Sequence, residues 1–168
     1  MKHMLPLLLS FSLPAFGQES NLLQKFRYAD SVIIVSHESL VLSGPPGKPG
    51  IRLELVKENK PDYSIIREIK KLDKISIDSL TGILLSPNND RDINTVFCFE
   101  PHHAVFIFSG ELISYFDLCF ACRRFVTTKD IAVSERILSS QVWHLLESFF
   151  RNRQIIFELP SVNLYVPD

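Results

Sequence analysis

The chain has 168 residues and a net charge of −1 at pH 7 with histidine neutral, and 46% of its residues are hydrophobic. That length is enough for one domain with a hydrophobic core, and the hydrophobic share excludes general disorder. Nucleic acid or an anionic membrane surface would require a clustered positive field, which this composition does not predict. The basic pairs Lys70–Lys71 and Arg123–Arg124 are explained by solvated faces.

The N-terminal segment has the order of a secretory signal peptide. Lys2 and His3 precede an apolar run over residues 4–13, and Ala15 and Gly17 supply small residues at the spacing that signal peptidase reads. We therefore predict a signal peptide over residues 1–17 and a single periplasmic or secreted domain over residues 18–168. The alternative is a buried N-terminal strand.

Membrane anchoring is not expected after cleavage. The apolar run is shorter than the roughly 20 residues that span a bilayer, and no other run approaches that length. Cleavage removes one lysine and no acid, so the net charge of the mature chain becomes −2.

The hydrophobic periodicity predicts an α+β fold, in which two or three helices cover an antiparallel sheet with a central β-hairpin. Residues 63–72 fit a helix or a strand, and we favour a strand. The polar stretches 44–50 and 86–92 are predicted loops. The other predicted elements are helices over 21–29, 76–85 and 134–152, strands over 31–36, 51–56, 96–99, 103–108 and 112–120, and a short strand or extended tail over 155–159.

The central hairpin holds all three cysteines within or beside its strands. If Ser109 and Gly110 are the two loop residues, Cys119 lies opposite Glu100. Cys98 and His102 then occupy the two positions diagonal to Cys119, on the same face of the hairpin. Pro101 interrupts this ladder, so a bulge there could turn His102 or His103 toward the cysteines.

Three interpretations of the cysteines follow from their number and compartment. Three thiolates and one imidazole complete a tetrahedral structural zinc site, formed by Cys98, Cys119, Cys122 and either His102 or His103. Alternatively, because exported proteins meet oxidising conditions, a disulfide joins Cys98 to Cys119 or to Cys122 and leaves one thiol.

The third interpretation is a redox pair formed by Cys119 and Cys122 in a C-x-x-C motif. Arg123 and Arg124 would lower the pKa of a nearby thiol and so activate it. No clear helix begins at the second residue of the motif, and the aromatic and proline neighbours of thioredoxin-type sites are missing. This interpretation is therefore the weakest of the three.

Other catalytic constellations are not visible in the sequence. It contains no phosphate-binding glycine loop, no H-E-x-x-H and no G-x-S-x-G motif. His37 ends a buried strand and is interpreted as a solvated or capping residue. Trp143 and His144 lie beside the apolar stripe of the longest helix, where packing at the edge of the core explains them.

Residues 98–104 (CFEPHHA), a tight turn and residues 113–122 (ISYFDLCFAC) carry a resemblance. The chain resembles a group of uncharacterised small exported bacterial proteins that share a C-x-P-[RH]-[HN]-A strand, a hairpin and a C-F-x-C ending. The preceding helix 77–85 and the segment 145–150 (LLESFF) also look similar, so the likeness covers roughly residues 65–150. In that group the positions of His102 and His103 vary, and no activity is assigned.

These observations favour an exported, non-catalytic binding or interaction module of the cell envelope. Its cysteine cluster would be structural and held by zinc or a disulfide, and its partner would be another protein. No general base, oxyanion site or cofactor loop accompanies the thiols, so we expect no enzymatic site. The alternative is a thiol-dependent redox protein that uses Cys119 and Cys122.

Overall fold

A computed structural model describes residues 17–42, 51–86, 99–131 and 138–160 of the chain. The helices are α1 (Gly17–Arg27), α2 (Lys74–Leu84) and α3 (Ser140–Arg151). The strands are β1 (Ser31–His37), β2 (Val41–Leu42), β3 (Ile51–Arg52), β4 (Val56–Lys57), β5 (Lys60–Pro61), β6 (Ile66–Lys71), β7 (His103–Ser109), β8 (Leu112–Cys119) and β9 (Arg124–Thr127). None of the helices in these ranges is long and apolar enough to cross a membrane.

Five strands form the main sheet in the order β6-β1-β7-β8-β9. Every neighbouring pair in it is antiparallel. The hairpin of β7 and β8 contributes two of the three inner strands, and three helices accompany the sheet. The predicted fold class, an α+β domain built on an antiparallel sheet with a central hairpin, is confirmed.

The sheet buries both of its faces, and its strands are apolar for that reason. On the first face, Val32, Ile34, Val105, Ile107, Phe116 and Leu118 pack with apolar residues of all three helices. On the second face, Ile33, Val35, Ala104 and Phe106 pack with Leu40, Leu55 and Ile65 from the connection between β1 and β6. The alternation of side chains along each strand therefore divides the core into two layers.

That connection corrects the strand predicted over 51–56. β3 pairs with β2 and β4 pairs with β5, so the segment belongs to two small separate ladders and not to the main sheet. The chain reverses at Glu58 and Asn59, both with positive φ, and Leu53 donates its N–H to the carbonyl of Leu40. The alternation of apolar and charged residues in 51–56 reflects burial of the apolar side chains on one side of the segment. It does not indicate a continuous strand of the main sheet.

The other elements follow the predicted pattern, with differences at their ends. Residues 66–71 form a strand, as favoured. α2 begins at Lys74, two residues before the predicted start, because the Asp73 side chain caps it by accepting the Ser76 N–H. α3 begins after the cap Ser139, and residues 132–137 lie outside the described ranges. Residues 155–159 contain a turn at 157–158 and no strand.

The register of the central hairpin differs from the prediction by two residues. Ser109 pairs with Leu112, so the loop residues are Gly110 and Glu111. Gly110 has φ +60°, and glycine is the residue that favours positive φ at the first loop position of a tight hairpin turn. Continued by one residue, this register places His102, and not Glu100, opposite Cys119.

Candidate functional site

The chemically distinctive side chains gather at one end of the main sheet. β1 ends there at His37, β7 begins at His103, and β8 ends at Cys119. The β8–β9 loop, residues 120–123, closes the same end, because Cys119 pairs with Arg124. The antiparallel order of the strands therefore brings together residues that are far apart in the sequence.

Cys119 and Cys122 form a disulfide within the β8–β9 loop, with their Cα atoms 5.6 Å apart. The Cys122 N–H also donates to the Cys119 Sγ at 3.3 Å, and Arg123 has a positive φ of 50°, which lets the short loop turn back into β9. Both cysteines are buried, with exposed fractions of 3% and 2%. A reagent in solution therefore has little access to either sulfur.

Phe120, between the two cysteines, anchors the loop to the first layer of the core. Its ring lies 4.9 Å from His103, 5.4 Å from Phe150 and 5.8 Å from Trp143, centroid to centroid, with edge-to-face geometry each time. Such aromatic pairs contribute about 0.5–1.5 kcal/mol each beyond the burial of their area. The disulfide and this ring thus hold the same four-residue turn.

His103 belongs to this aromatic cluster and is almost completely buried. Burial, and then repulsion from His37 and His102, lowers the pKa of His103 from 6.5 to about 3, while a hydrogen bond with the Phe157 backbone opposes the shift. Its Nε2 has no hydrogen-bond partner among the described residues. At neutral pH the ring is therefore uncharged and packs as an aromatic residue.

His37 and Asp117 form a buried pair on the second face of the sheet. His37 Nε2 lies 3.1 Å from Asp117 Oδ1, and His37 Nδ1 lies 2.7 Å from the Glu38 carbonyl oxygen. A carbonyl only accepts, so Nδ1 carries a proton and donates it to Glu38. Ala104 on β7 is aligned with Asp117, and its small side chain leaves room for a pair that joins β1 to β8.

His102 lies beside this pair and is partly exposed. Its Nδ1 donates to the His37 carbonyl oxygen at 3.2 Å, and its ring centroid is 6.3 Å from that of His37. Its Nε2 is 4.0 Å from Glu100. His102 and His103 are neighbours in the chain, but only His103 packs into the aromatic cluster around Phe120.

Glu68 organises the same end of the sheet from β6. One of its carboxylate oxygens, Oε2, accepts from Ser36 Oγ at 2.7 Å and from the N–H groups of Ile156 and Phe157 at 2.8 and 2.9 Å. The two backbone donors fix the segment that follows α3 against β6, and Ser36 holds the carboxylate from β1. The carbonyl of Phe157 then meets His103, so this segment also supports the aromatic cluster.

The structure brings together part of the predicted cysteine cluster. The disulfide joins Cys119 to Cys122, which are the two residues of the redox interpretation. Cys98, the partner in the predicted disulfide, lies outside the described residues. Within the described ranges no group of three histidine, cysteine or acidic side chains could hold a metal ion. A zinc site that includes Cys98 and His102 or His103 stays a prediction, and it requires Cys119 and Cys122 to be reduced, because only thiolates bind zinc in such a site.

Sequence reasoning missed the His37–Asp117 pair. His37 was interpreted as solvated or capping, but it is fully buried and both of its ring nitrogens are engaged. The available signal was Asp117 itself, an acid inside the apolar strand of residues 112–120. A carboxylate buried in a sheet requires a partner, and histidine is a common one.

The hydrogen bonds of His37 and the burial of the disulfide limit the reactions and ligands that these side chains can support. His37 has no free lone pair for a metal or a substrate, and the disulfide is enclosed. The described residues thus form an α+β domain with a buried disulfide and a buried histidine–carboxylate pair. No protein-family model matches the chain, and neither the curated proteins nor the solved structures gave a significant match. The resemblance to small exported bacterial proteins stays a prediction.

Proposed function

We propose that this protein is an exported, non-catalytic binding or interaction module of the cell envelope, in which the cysteine pair stabilises the fold. The observation that carries the proposal is the burial of both cysteines in a loop that the Phe120 ring also anchors. Catalytic disulfides must present a sulfur to an attacking thiolate, whereas structural ones are enclosed. Export into an oxidising compartment is consistent with such a bond.

Thiol-exchange kinetics test the structural role of the cysteines. The oxidised mature protein is mixed with reduced glutathione, and the appearance of thiols is followed under native conditions and in urea. We expect slow reduction when the protein is folded and fast reduction when it is unfolded, and no acceleration of insulin reduction by dithiothreitol. Rapid reduction of the folded protein with insulin-reducing activity would contradict the proposal.

The second candidate is a thiol-dependent redox protein that uses Cys119 and Cys122. The observation in its favour is that the C-x-x-C residues themselves form the disulfide, followed directly by Arg123 and Arg124. The single variants Cys119→Ser and Cys122→Ser separate the two candidates. The redox function requires that both variants lose activity and that the variant which keeps the attacking thiol trap a mixed disulfide with a substrate protein, whereas the structural role predicts only lower stability.

Location and binding require separate measurements. Expressed in a bacterium with an intact export system, the chain is expected in the periplasmic or secreted fraction with a mature mass that begins at residue 18. Site-specific photocrosslinking in that compartment is then expected to give a discrete crosslinked species with another protein. Retention of residues 1–17 in the cytoplasm would contradict export, and wild-type protein without any discrete crosslink would contradict the binding function.

A further inference from the structure

Among the described residues, the outer edge of β6 pairs with no strand. β6 pairs only with β1, and the segment after α3 contacts it through the Glu68 side chain and not by backbone pairing. The Leu72 N–H donates to the Val32 carbonyl, and hydrogen-bonded positions alternate along an antiparallel ladder. Lys70 and Glu68 therefore turn their backbone groups toward β1, and Ile69 and Lys71 turn theirs outward.

Apolar and cationic side chains flank these outward groups. Ile69 is 50% exposed on the second face of the sheet, where it is aligned with Val35. Ile156, 56% exposed, is held beside the strand because its N–H donates to Glu68. Exposed apolar side chains grouped on both sides of an unpaired edge are a feature of surfaces that take up another chain.

Two lysines without an ion-pair partner among the described residues stand on β6. Lys70 and Lys71 are exposed, on opposite faces of the strand, and neither forms an ion pair in the part of the chain that the structure describes. Glu68 accepts from Ser36 and the 156–157 turn, and Asp73 caps α2, so neither of these acids forms an ion pair with the two lysines. Arg67, the next cation along the strand, pairs with Glu38.

We propose that the β6 edge binds an extended acidic segment of a partner protein by strand addition; this rests on the proposed binding function and names its partner class. An antiparallel strand would place acids opposite Lys71 and Lys70, followed by apolar residues opposite Ile69 and beside Ile156. A second copy of this chain is the competing occupant, and sedimentation tests for it below.

The probe for this proposal is a fluorescein-labelled, end-blocked peptide with a central Glu-Glu-Val-Val sequence between threonines. Its binding to the full mature protein is measured by fluorescence anisotropy at low and high salt, against a Lys-Lys-Val-Val peptide. We expect the acidic peptide to bind, with weaker binding at high salt, and the basic peptide not to bind. Hydrogen exchange is expected to slow at the Ile69 and Lys71 amides and to stay unchanged at Lys70.

The K70E/K71E variant reverses both charges at the edge. It is expected to bind the acidic peptide about tenfold more weakly, because both favourable cross-strand charge pairs are replaced by repulsive ones, and to bind the basic peptide instead. The matched control R27E/K129E makes the same change in net charge at exposed positions on α1 and after β9, and should bind like the wild type. Ile69→Pro removes one outward N–H and should abolish binding.

Three results would overturn the proposal. They are equal binding of both peptides by the wild type, loss of binding in R27E/K129E equal to that in K70E/K71E, and a concentration-dependent dimer in sedimentation that uses the β6 edge. The photocrosslinking experiment separates this inference from the proposed function. A discrete crosslink that persists in K70E/K71E would leave the binding function in place and place the partner on another surface.

Discussion

Protonation of His103 should destabilise the folded protein in mild acid. The ring is buried, and its pKa is lowered from 6.5 to about 3, so below pH 6.5 the unfolded chain binds a proton that the folded chain does not. The stability that the neutral His103 contributes is therefore fully present above pH 6.5 and is lost progressively as the pH decreases toward 3. At pH 4.5, two units below the unfolded pKa, the loss from this residue amounts to about 3 kcal/mol.

The assay is urea unfolding of the wild type and His103→Phe at several pH values between 4 and 8, followed by the fluorescence of the single tryptophan. Phenylalanine keeps an aromatic ring against Phe120 and Phe150 but cannot titrate. The free energy of unfolding of the wild type should decrease by about 2–3 kcal/mol more than that of the variant between pH 7 and pH 4.5. Parallel curves for the two proteins would refute the assignment of a buried neutral imidazole.

The other predictions concern the supports around this end of the sheet. Replacing both Cys119 and Cys122 by serine should lower the free energy of unfolding by about 2 kcal/mol, the chain-entropy value for so short a loop, and unchanged urea midpoints would contradict this. Asp117→Ala leaves a buried imidazole without its carboxylate and should cost about 2–4 kcal/mol, whereas Asp117→Asn, which keeps an acceptor oxygen, should cost less in the same urea titration. Glu68→Ala should accelerate amide hydrogen exchange in residues 156–157 without affecting the centre of the sheet, and uniform acceleration would show that the anchor is not local.

The sequence predicted the fold class because the strongest periodic segments are also the structural centre. The apolar stripe of residues 138–149 marks α3, and the apolar runs of 31–36 and 103–108 mark two inner strands of the sheet. These segments are buried on one or both sides, so their pattern is imposed by the core. The segment 51–56 failed the same test because alternation there reflects packing of Leu53 and Leu55 onto the sheet and not strand pairing.

The hairpin register could not be obtained from the hydrophobic pattern. A shift by two residues leaves every side chain on its original face, because side chains alternate with a period of two. Only the turn distinguishes the registers, and both place Gly110 in the loop. The registers differ in the position that Gly110 takes in the loop. In the structure Gly110 is the first loop residue and has positive φ, so the residue opposite Cys119 is His102 and not the predicted Glu100.

The candidate site was predicted only in its local parts. The C-x-x-C spacing drew attention to Cys119 and Cys122 because the two residues are close in sequence. His37 and Asp117 are separated by 80 positions and meet only because β7 lies between their strands. Pairs of this kind depend on strand order, which the local pattern of a single strand does not contain.

The most direct test of the structural disulfide is a thiol, metal and mass analysis of mature protein from its native compartment. The protein is alkylated in denaturant without reductant, and the modified cysteines are located by peptide mapping. We expect a mass two hydrogens below that of the reduced mature chain, a Cys119–Cys122 linkage, one alkylated thiol at Cys98 and no bound zinc. One zinc per chain with three alkylated thiols, or a linkage that includes Cys98, would contradict the account.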